Sequence, residues 1–400
     1  MAFDNIGILL NLKTLYSTLM TYFDNPLTIL IVIATIVIVV TVIVWIVKMV
    51  IDLAPYAYVN ARIRSKEAKL LDNTKLNELI ESGSLEEMIG ILEDTDYGQY
   101  ISEVLNELKD PIAVEKALDM YLADLYNLIF NISPESAKNI LKVFSKKFDI
   151  KNIKTLIRAK YYGLNAEETY SLLIPLGNIP IEKLKELSEA KTVEEVVRGL
   201  DGTEYFKVLQ EELSNYEQTS SITGLELALD RYYLNELRKV MMIEGKEEDL
   251  FREFIGTLID VENLKVILKG KADGLSADEL SKYVSLSGYE LPEWKLKDLM
   301  SAEGIEGILS GLEGTSYANV LSEYMEEFEK TKSVFTFEKA LDRFILEKGK
   351  KLSVRKPFGV GPIIGLIVSK ELEVKNLKAI IKGKIENLKP DEIRRLLISL

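Results

Sequence analysis

The chain contains no cysteine and no histidine in 400 residues. These two absences together remove thiolate nucleophiles, disulfides, Cys/His zinc sites and imidazole acid–base catalysis. Any catalytic reading must rest on carboxylates, lysine, serine or tyrosine. Glutamine is nearly missing too, with Gln99, Gln210 and Gln218 the whole complement beside heavy use of isoleucine, lysine and glutamate, a bias that leans towards a thermophilic source. Positive charge is in deficit: 50 Lys+Arg against 63 Asp+Glu leave −13, so the chain as a whole repels phosphate backbones and nucleic acid is not an expected partner. Sustained strand-like alternation is absent, and the body from Asp52 onwards reads as helix. The few prolines fall mainly between blocks of text, at Pro55, Pro111, Pro134, Pro175, Pro180, Pro292, Pro357, Pro362 and Pro390.

What is present is one text written three times. LEDTDYGQYISEVL from Leu92 returns as LDGTEYFKVLQEEL from Leu200 and LEGTSYANVLSEYM from Leu312, at spacings of 108 and 112. A second block follows each: VEKALDMYL from Val114, LELALDRYY from Leu225 and FEKALDRFI from Phe337. A third is FDIKNIKTLIRAKYYGLNAEE from Phe148, answered by IDVENLKVILKGKADGLSADE from Ile259 and LEVKNLKAIIKGKIENLKPDE from Leu372. A fourth precedes the first, from Lys75, Lys183 and Lys295. Each copy is too long for a solenoid hairpin, so each reads as a small helical subdomain. The expected architecture is all-α, with three similar subdomains (49–175, 176–290 and 291–400) in tandem around a pseudo-threefold axis. Closure is expected because no copy looks like a polar cap.

Leu27 to Val47 carries no charge over 21 residues, about 30 Å of helix, enough to cross a hydrocarbon core. We expect a transmembrane helix at 27–47 behind an N-terminal extension at 1–26. Lys13 is the sole cation before it, which argues against a cleaved signal, whereas Lys48, Arg62, Arg64, Lys66 and Lys69 crowd its carboxyl side. That asymmetry places the body in the cytoplasm and the N-terminus outside.

Within the third block, Ile153, Leu156, Ile157, Tyr161 and Leu164 match Leu264, Ile267, Leu268, Ala272 and Leu275, then Leu377, Ile380, Ile381, Ile385 and Leu388, a stripe on one helix face. Thr95, Thr203 and Thr315 are expected to cap the next helix through their hydroxyls, with Tyr97, Tyr205 and Tyr317 anchoring the turn. Asp119, Asp230 and Asp342 are expected to make contacts between helices. Lys356 to Pro362 holds two glycines but no Gly-Lys-Ser/Thr, and reads as a turn. Neighbouring acids such as Glu86-Glu87, Glu194-Glu195 and Glu326-Glu327 lie along solvent-type faces, which gives a carboxylate hydrolase no convergent pair. No cofactor or metal is expected.

Cations recur at matched places in this acidic chain: Lys154, Lys265 and Lys378; Arg158, Lys269 and Lys382; Lys160, Lys271 and Lys384. The first two columns flank the stripe. The third sits in the last turn before Gly163, Gly274 and Asn387, where a cation meets helix C-terminal carbonyls. One reading is helix-dipole pairing and a solvated flank. The other is a basic ring, formed by the first two columns, offered to an acidic or carbonyl-rich partner.

Asp52 to Leu71 (DLAPYAYVNARIRSKEAKLL) and Gly361 to Ile380 (GPIIGLIVSKELEVKNLKAI) resemble the family of C subunits of archaeal A-type ATP synthases, relatives of the d subunit of vacuolar (V-type) ATPases. The resemblance covers Met49 to Leu400. It implies a funnel-like, all-helical, non-catalytic part of the central stalk, seated on the cytoplasmic face of the proteolipid rotor ring and receiving the stalk subunits. Such a part links ion flow to ATP synthesis or hydrolysis by rotation. The first forty-eight residues depart from the family pattern, which is expected to begin near Met49 without a transmembrane helix; either the anchor is real or translation starts at Met49. The alternative is a membrane-anchored helical repeat scaffold unrelated to ATP synthesis.

Overall fold

The computed structural model describes residues 17, 21, 26–107, 111–242, 248–285 and 288–398. Most of the extension 1–26, Lys13 included, lies outside the described residues. Among the described residues every regular element is a helix, as the pattern predicts. Seven have twenty residues or more: α1 Pro26–Glu67, α2 Pro111–Ile132, α3 Glu135–Tyr161, α4 Thr223–Met242, α5 Glu248–Ala272, α6 Phe335–Arg355 and α7 Gly361–Ile385.

Proline marks helix starts. Pro111 opens α2, Pro134 caps α3, Pro180 and Pro292 cap the short helices Ile181–Ser188 and Glu293–Ser301, and Pro362 is the second residue of α7. A missing amide costs nothing there, because the first amides of a helix have no partner inside it. Pro55 is the exception: it lies inside α1 rather than between elements.

The chain divides into two compact units, Met1–Ala57 and Tyr58–Leu400. In the first, Pro26–Ile51 has a mean hydropathy of 3.3 and is long and apolar enough to cross a membrane. Two of its three hydroxyls bond within the helix, Thr35 Oγ1 donating to Ile31 O at 2.8 Å and Thr41 Oγ1 to Val37 O at 2.7 Å. Lipid demands such internal pairing.

In the second unit the packing order of the long helices closes on itself: α2 on α3, α3 on α4, α4 on α5, α5 on α6, α6 on α7 and α7 back on α2. The short helices fill in regularly. Ile181–Ser188 and Val193–Gly199 lie on α3, Glu293–Ser301 and Gly304–Gly311 on α5, and Leu85–Glu93 on α7. Third-block helices thus pack against the copy that follows them, and α7, the last, packs against the first. One core shows the arrangement: Ile153, Leu156 and Ile157 of α3 are buried with Leu184, Val196, Leu209 and Leu229.

Each third-block helix ends alike. Gly163, Gly274 and Asn387 take φ of 76°, 81° and 56°, and the amides of Leu164, Leu275 and Leu388 reach back to Ala159, Gly270 and Gly383 carbonyls at 2.8 Å. This is the left-handed helix stop in which glycine avoids a Cβ clash and asparagine tolerates it.

Candidate functional site

The stripe of the third block begins one turn earlier than its apolar residues suggest, at Asp149, Asp260 and Glu373. All three carboxylates are wholly buried. Each accepts the hydroxyl of a buried tyrosine: Tyr205 on Asp149 at 2.8 Å, Tyr317 on Asp260 at 3.0 Å and Tyr97 on Glu373 at 2.6 Å. Each also receives the chain entering the next short helix. Asp149 takes the amides of Asn178 and Ile179 at 2.8 and 2.9 Å, Asp260 those of Tyr289 and Glu290 at 2.9 and 2.7 Å, and Glu373 that of Leu71 at 2.6 Å. In the third instance the buried Lys370 adds an ion pair to Glu373 at 2.6 Å.

Burial pushes the Asp149 carboxyl up, against the pull of these donors. For Asp260 burial prevails further, to about 6, over the amide of Glu290 and the hydroxyl of Tyr317. Its Oδ1 has no hydrogen-bond partner among the described residues. The tyrosine hydroxyls are raised by burial and by the carboxylates they face, so they stay protonated donors.

A second matched set is Asn152, Asn263 and Asn376, all buried. Each amide group donates to and accepts from the backbone of the residue 22 positions on: Ile174 at 2.8 and 2.8 Å, Ser285 at 3.0 and 2.8 Å, Ile398 at 2.7 and 2.9 Å. Neither the acids nor the asparagines are among the residues that sequence reasoning points to. Both stand in the repeated text, where a polar residue in register with a buried stripe is the signal.

The first cation column turns inward. Lys154 donates to Asp230 at 2.5 Å, Lys265 to Asp342 at 2.7 Å and Lys378 to Asp119 at 2.6 Å, so the expected inter-helix role of these aspartates holds. The second column stays exposed: Arg158 grips Glu226 through two nitrogens at 2.5 and 2.9 Å, Lys382 lies 4.0 Å from Glu386, and Lys269 has no ion pair among the described residues. The third column was expected to meet the carbonyls of its own helix end. Instead Lys160 donates to Ser188 O at 2.6 Å, and Lys384 to Ile80 O at 2.6 Å and to Ser82 O, the ends of neighbouring short helices. Desolvation holds both below the usual lysine range.

The threonines also differ from expectation. Thr203 and Thr315 occupy N-cap positions, but their hydroxyls donate backwards to Leu200 O and Leu312 O at 2.7 and 2.6 Å. Only Thr95 also accepts an amide, from Tyr97 at 3.2 Å. At Thr95 the preceding carbonyl of Leu92, at 2.6 Å, is the nearer partner.

A cavity of about 160 Å³ between Tyr126, Phe130, Leu141 and Gly177 is small for a substrate pocket. Among the described residues no three carboxylates converge as a metal site. The buried acids instead hold each third-block helix to the segment after it.

This frame has relatives. A family model described as ATP synthase (C/AC39) subunit matches residues 59–396. The chain belongs to the ATP synthase (C/AC39) subunit family. Among similar members, the A-type ATP synthase C subunit of Methanocaldococcus jannaschii is 82% identical over 400 residues, the whole of both chains. That of Methanothermobacter thermautotrophicus is 43% identical over 339 residues, 84% of this chain and 86% of its own. That of Pyrococcus abyssi is 33% identical over 385 residues, covering 95% and 98%. The family resemblance read from Asp52–Leu71 and Gly361–Ile380 is therefore shown. The family model begins at residue 59, in keeping with a family pattern that starts near Met49, and the Methanothermobacter alignment leaves 16% of this chain uncovered, whereas the Methanocaldococcus protein aligns over all 400 residues.

Proposed function

We propose that the chain is a non-catalytic coupling part of an A-type ATP synthase, seated on the proteolipid rotor ring at the cytoplasmic face and receiving the central stalk. Its body is read as three modules around a pseudo-threefold axis. The modules are offset from the text boundaries: 135–242, 248–355, and a third built from 361–398 with 58–132. The observation that carries this reading is the closed packing order of α2 to α7, since a closed circuit of equivalent helices leaves an axis about which a rotary load can be passed.

Two further features support it. The repeated Tyr–acid and Lys–Asp pairs fasten every module internally in the same way, each joining two successive copies of the text, which suits a part that must transmit torque without yielding. The apolar run Pro26–Ile51 supports a membrane anchor, and the cations after it support a cytoplasmic body with the N-terminus outside. An anchor of this kind would turn with the ring. The exposed Arg158, Lys269 and Lys382 remain partner-contact candidates, whereas Lys154, Lys265 and Lys378 would contribute chiefly by fixing the helices that present them.

Purification in mild detergent tests the proposal. The protein should travel with the proteolipid ring and stalk subunits at constant stoichiometry; recovery free of both under conditions that keep the rest of the synthase together would refute it.

A further inference from the structure

From Lys348 to Lys370 the chain contains no aspartate or glutamate, although its net charge is −13. This stretch holds the end of α6 and its connection to α7; Lys350, Lys351 and Arg355, in the last turns of α6, are exposed and have no ion pair or side-chain hydrogen bond among the described residues. Two apolar side chains stand out beside them, Val354 at 73% and Phe358 at 63% exposure. Elsewhere on the body exposed lysines commonly find a carboxylate one turn away, as Lys297 does with Glu293 and Lys330 with Glu326.

The connection is tied to the chain that follows the apolar run. Asn60 Nδ2 donates to Pro357 O at 3.0 Å, and Arg64 to Ser353 O at 3.0 Å. Asn60 is nine residues beyond Ile51, where the apolar run ends.

We propose that the end of α6 with the start of its connection to α7, residues 350–358, docks on the bilayer surface, its cations against anionic lipid headgroups and Val354 and Phe358 in the interface. Net charge does not oppose this, because screening over about 8 Å at physiological ionic strength leaves a local basic patch to act alone. Cations on either side of exposed apolar tips are the composition that binds an anionic interface. The inference rests on the reading of Pro26–Ile51 as a membrane span.

The absence of cysteine makes a single-site label clean. The full-length chain carrying Phe358→Cys, labelled with an environment-sensitive dye, is placed in nanodiscs of phosphatidylglycerol and phosphatidylcholine, or of phosphatidylcholine alone. Retention in the disc is checked by gel filtration. The proposal expects a blue shift and quenching by headgroup-region spin-labelled lipid in the anionic discs. Both should fall to the buffer level in Lys350→Glu/Lys351→Glu/Arg355→Glu and at about 1 M salt, where the screening length is ~3 Å. A disc-retained chain with the same unquenched signal in both lipids overturns the docking and leaves the span standing. A chain that does not enter discs overturns the span. A label silent on lipid that responds only when purified proteolipid ring is added overturns lipid as the occupant and gives the surface to a protein partner.

Discussion

Lys378 and Asp119 lie 259 positions apart and share a charged hydrogen bond of 2.6 Å. It repeats Lys154–Asp230 and Lys265–Asp342, which join one copy to the next; only this pair joins the last copy to the first. Equivalent bonds at all three joints mean that the seam between the chain's two ends is built like the joints inside it.

Lys378→Asp alone should destabilise the body by about 1–3 kcal/mol, between the values for exposed and buried pairs, since the side chains are 22% and 16% exposed. Asp119→Lys should cost a similar amount, and the double exchange should recover most of the loss. Urea unfolding followed by circular dichroism reads this directly; a double variant no better than the sum of the singles would deny the pairing.

Asp260 gives a pH signature of defined sign. Burial raises its carboxyl from an ordinary 3.8 to about 6, so the folded protein keeps a proton that the unfolded chain has already released. Its contribution is complete below the unfolded pKa and is lost as pH rises through the folded one, on the order of 3 kcal/mol across that window. Asp260→Asn should remove this part of the slope. Unfolding free energies at pH 4 and pH 7 should draw closer in the variant than in the parent, and parallel profiles would contradict the assignment.

Asn376→Ala should release the C-terminal segment, because both of its amide bonds go to Ile398. Two buried backbone groups then lose their partners, a cost of about 1–3 kcal/mol each at most if the segment stays in place. Fraying avoids that cost. Hydrogen exchange should therefore accelerate at Ile398 and leave α3 protected; unchanged protection at Ile398 would show that the bond is dispensable.

Gly177→Ala should be poorly tolerated for two additive reasons. Its φ of +137° is unfavourable for a side chain, and the new Cβ would meet the Asp149 carboxylate. We expect a loss of more than ~1 kcal/mol in thermal or urea unfolding, against a small effect for Gly90→Ala, whose Cβ meets nothing within 4 Å.

The repeats and the helix stops were legible because they are local text. The stop at Gly163 and the stripe at Ile153, Leu156 and Ile157 depend only on spacing along one helix, but Tyr161, Ala272 and Ile385, which the same spacing adds to the stripe, are exposed. The acids were nearly legible: Asp149 lies four residues before Ile153, hence on the same buried face, but an acid on an apolar face makes sense only once Tyr205 is known to approach it. Which copy a third-block helix packs against could not be read, since packing back or forward satisfies the same stripe. The cation columns show the same limit. Lys154 and Arg158 look alike as flanking charges, and only the position of α4 decides that one meets Asp230 and the other Glu226 at the surface.

The most direct test measures the seam. Glu81 and Arg394 form an ion pair although 313 residues separate them, and their counterparts in the first joint are Glu189 and Tyr170, necessarily close in the chain. Spin labels at Glu81→Cys and Arg394→Cys in the cysteine-free protein should give a short, narrow distance distribution by pulsed dipolar spectroscopy. It should match that of labels at Tyr170→Cys and Glu189→Cys. A long or broad distribution for the 81–394 pair, beside a short one for 170–189, would show an open array of helices and contradict a body closed around an axis.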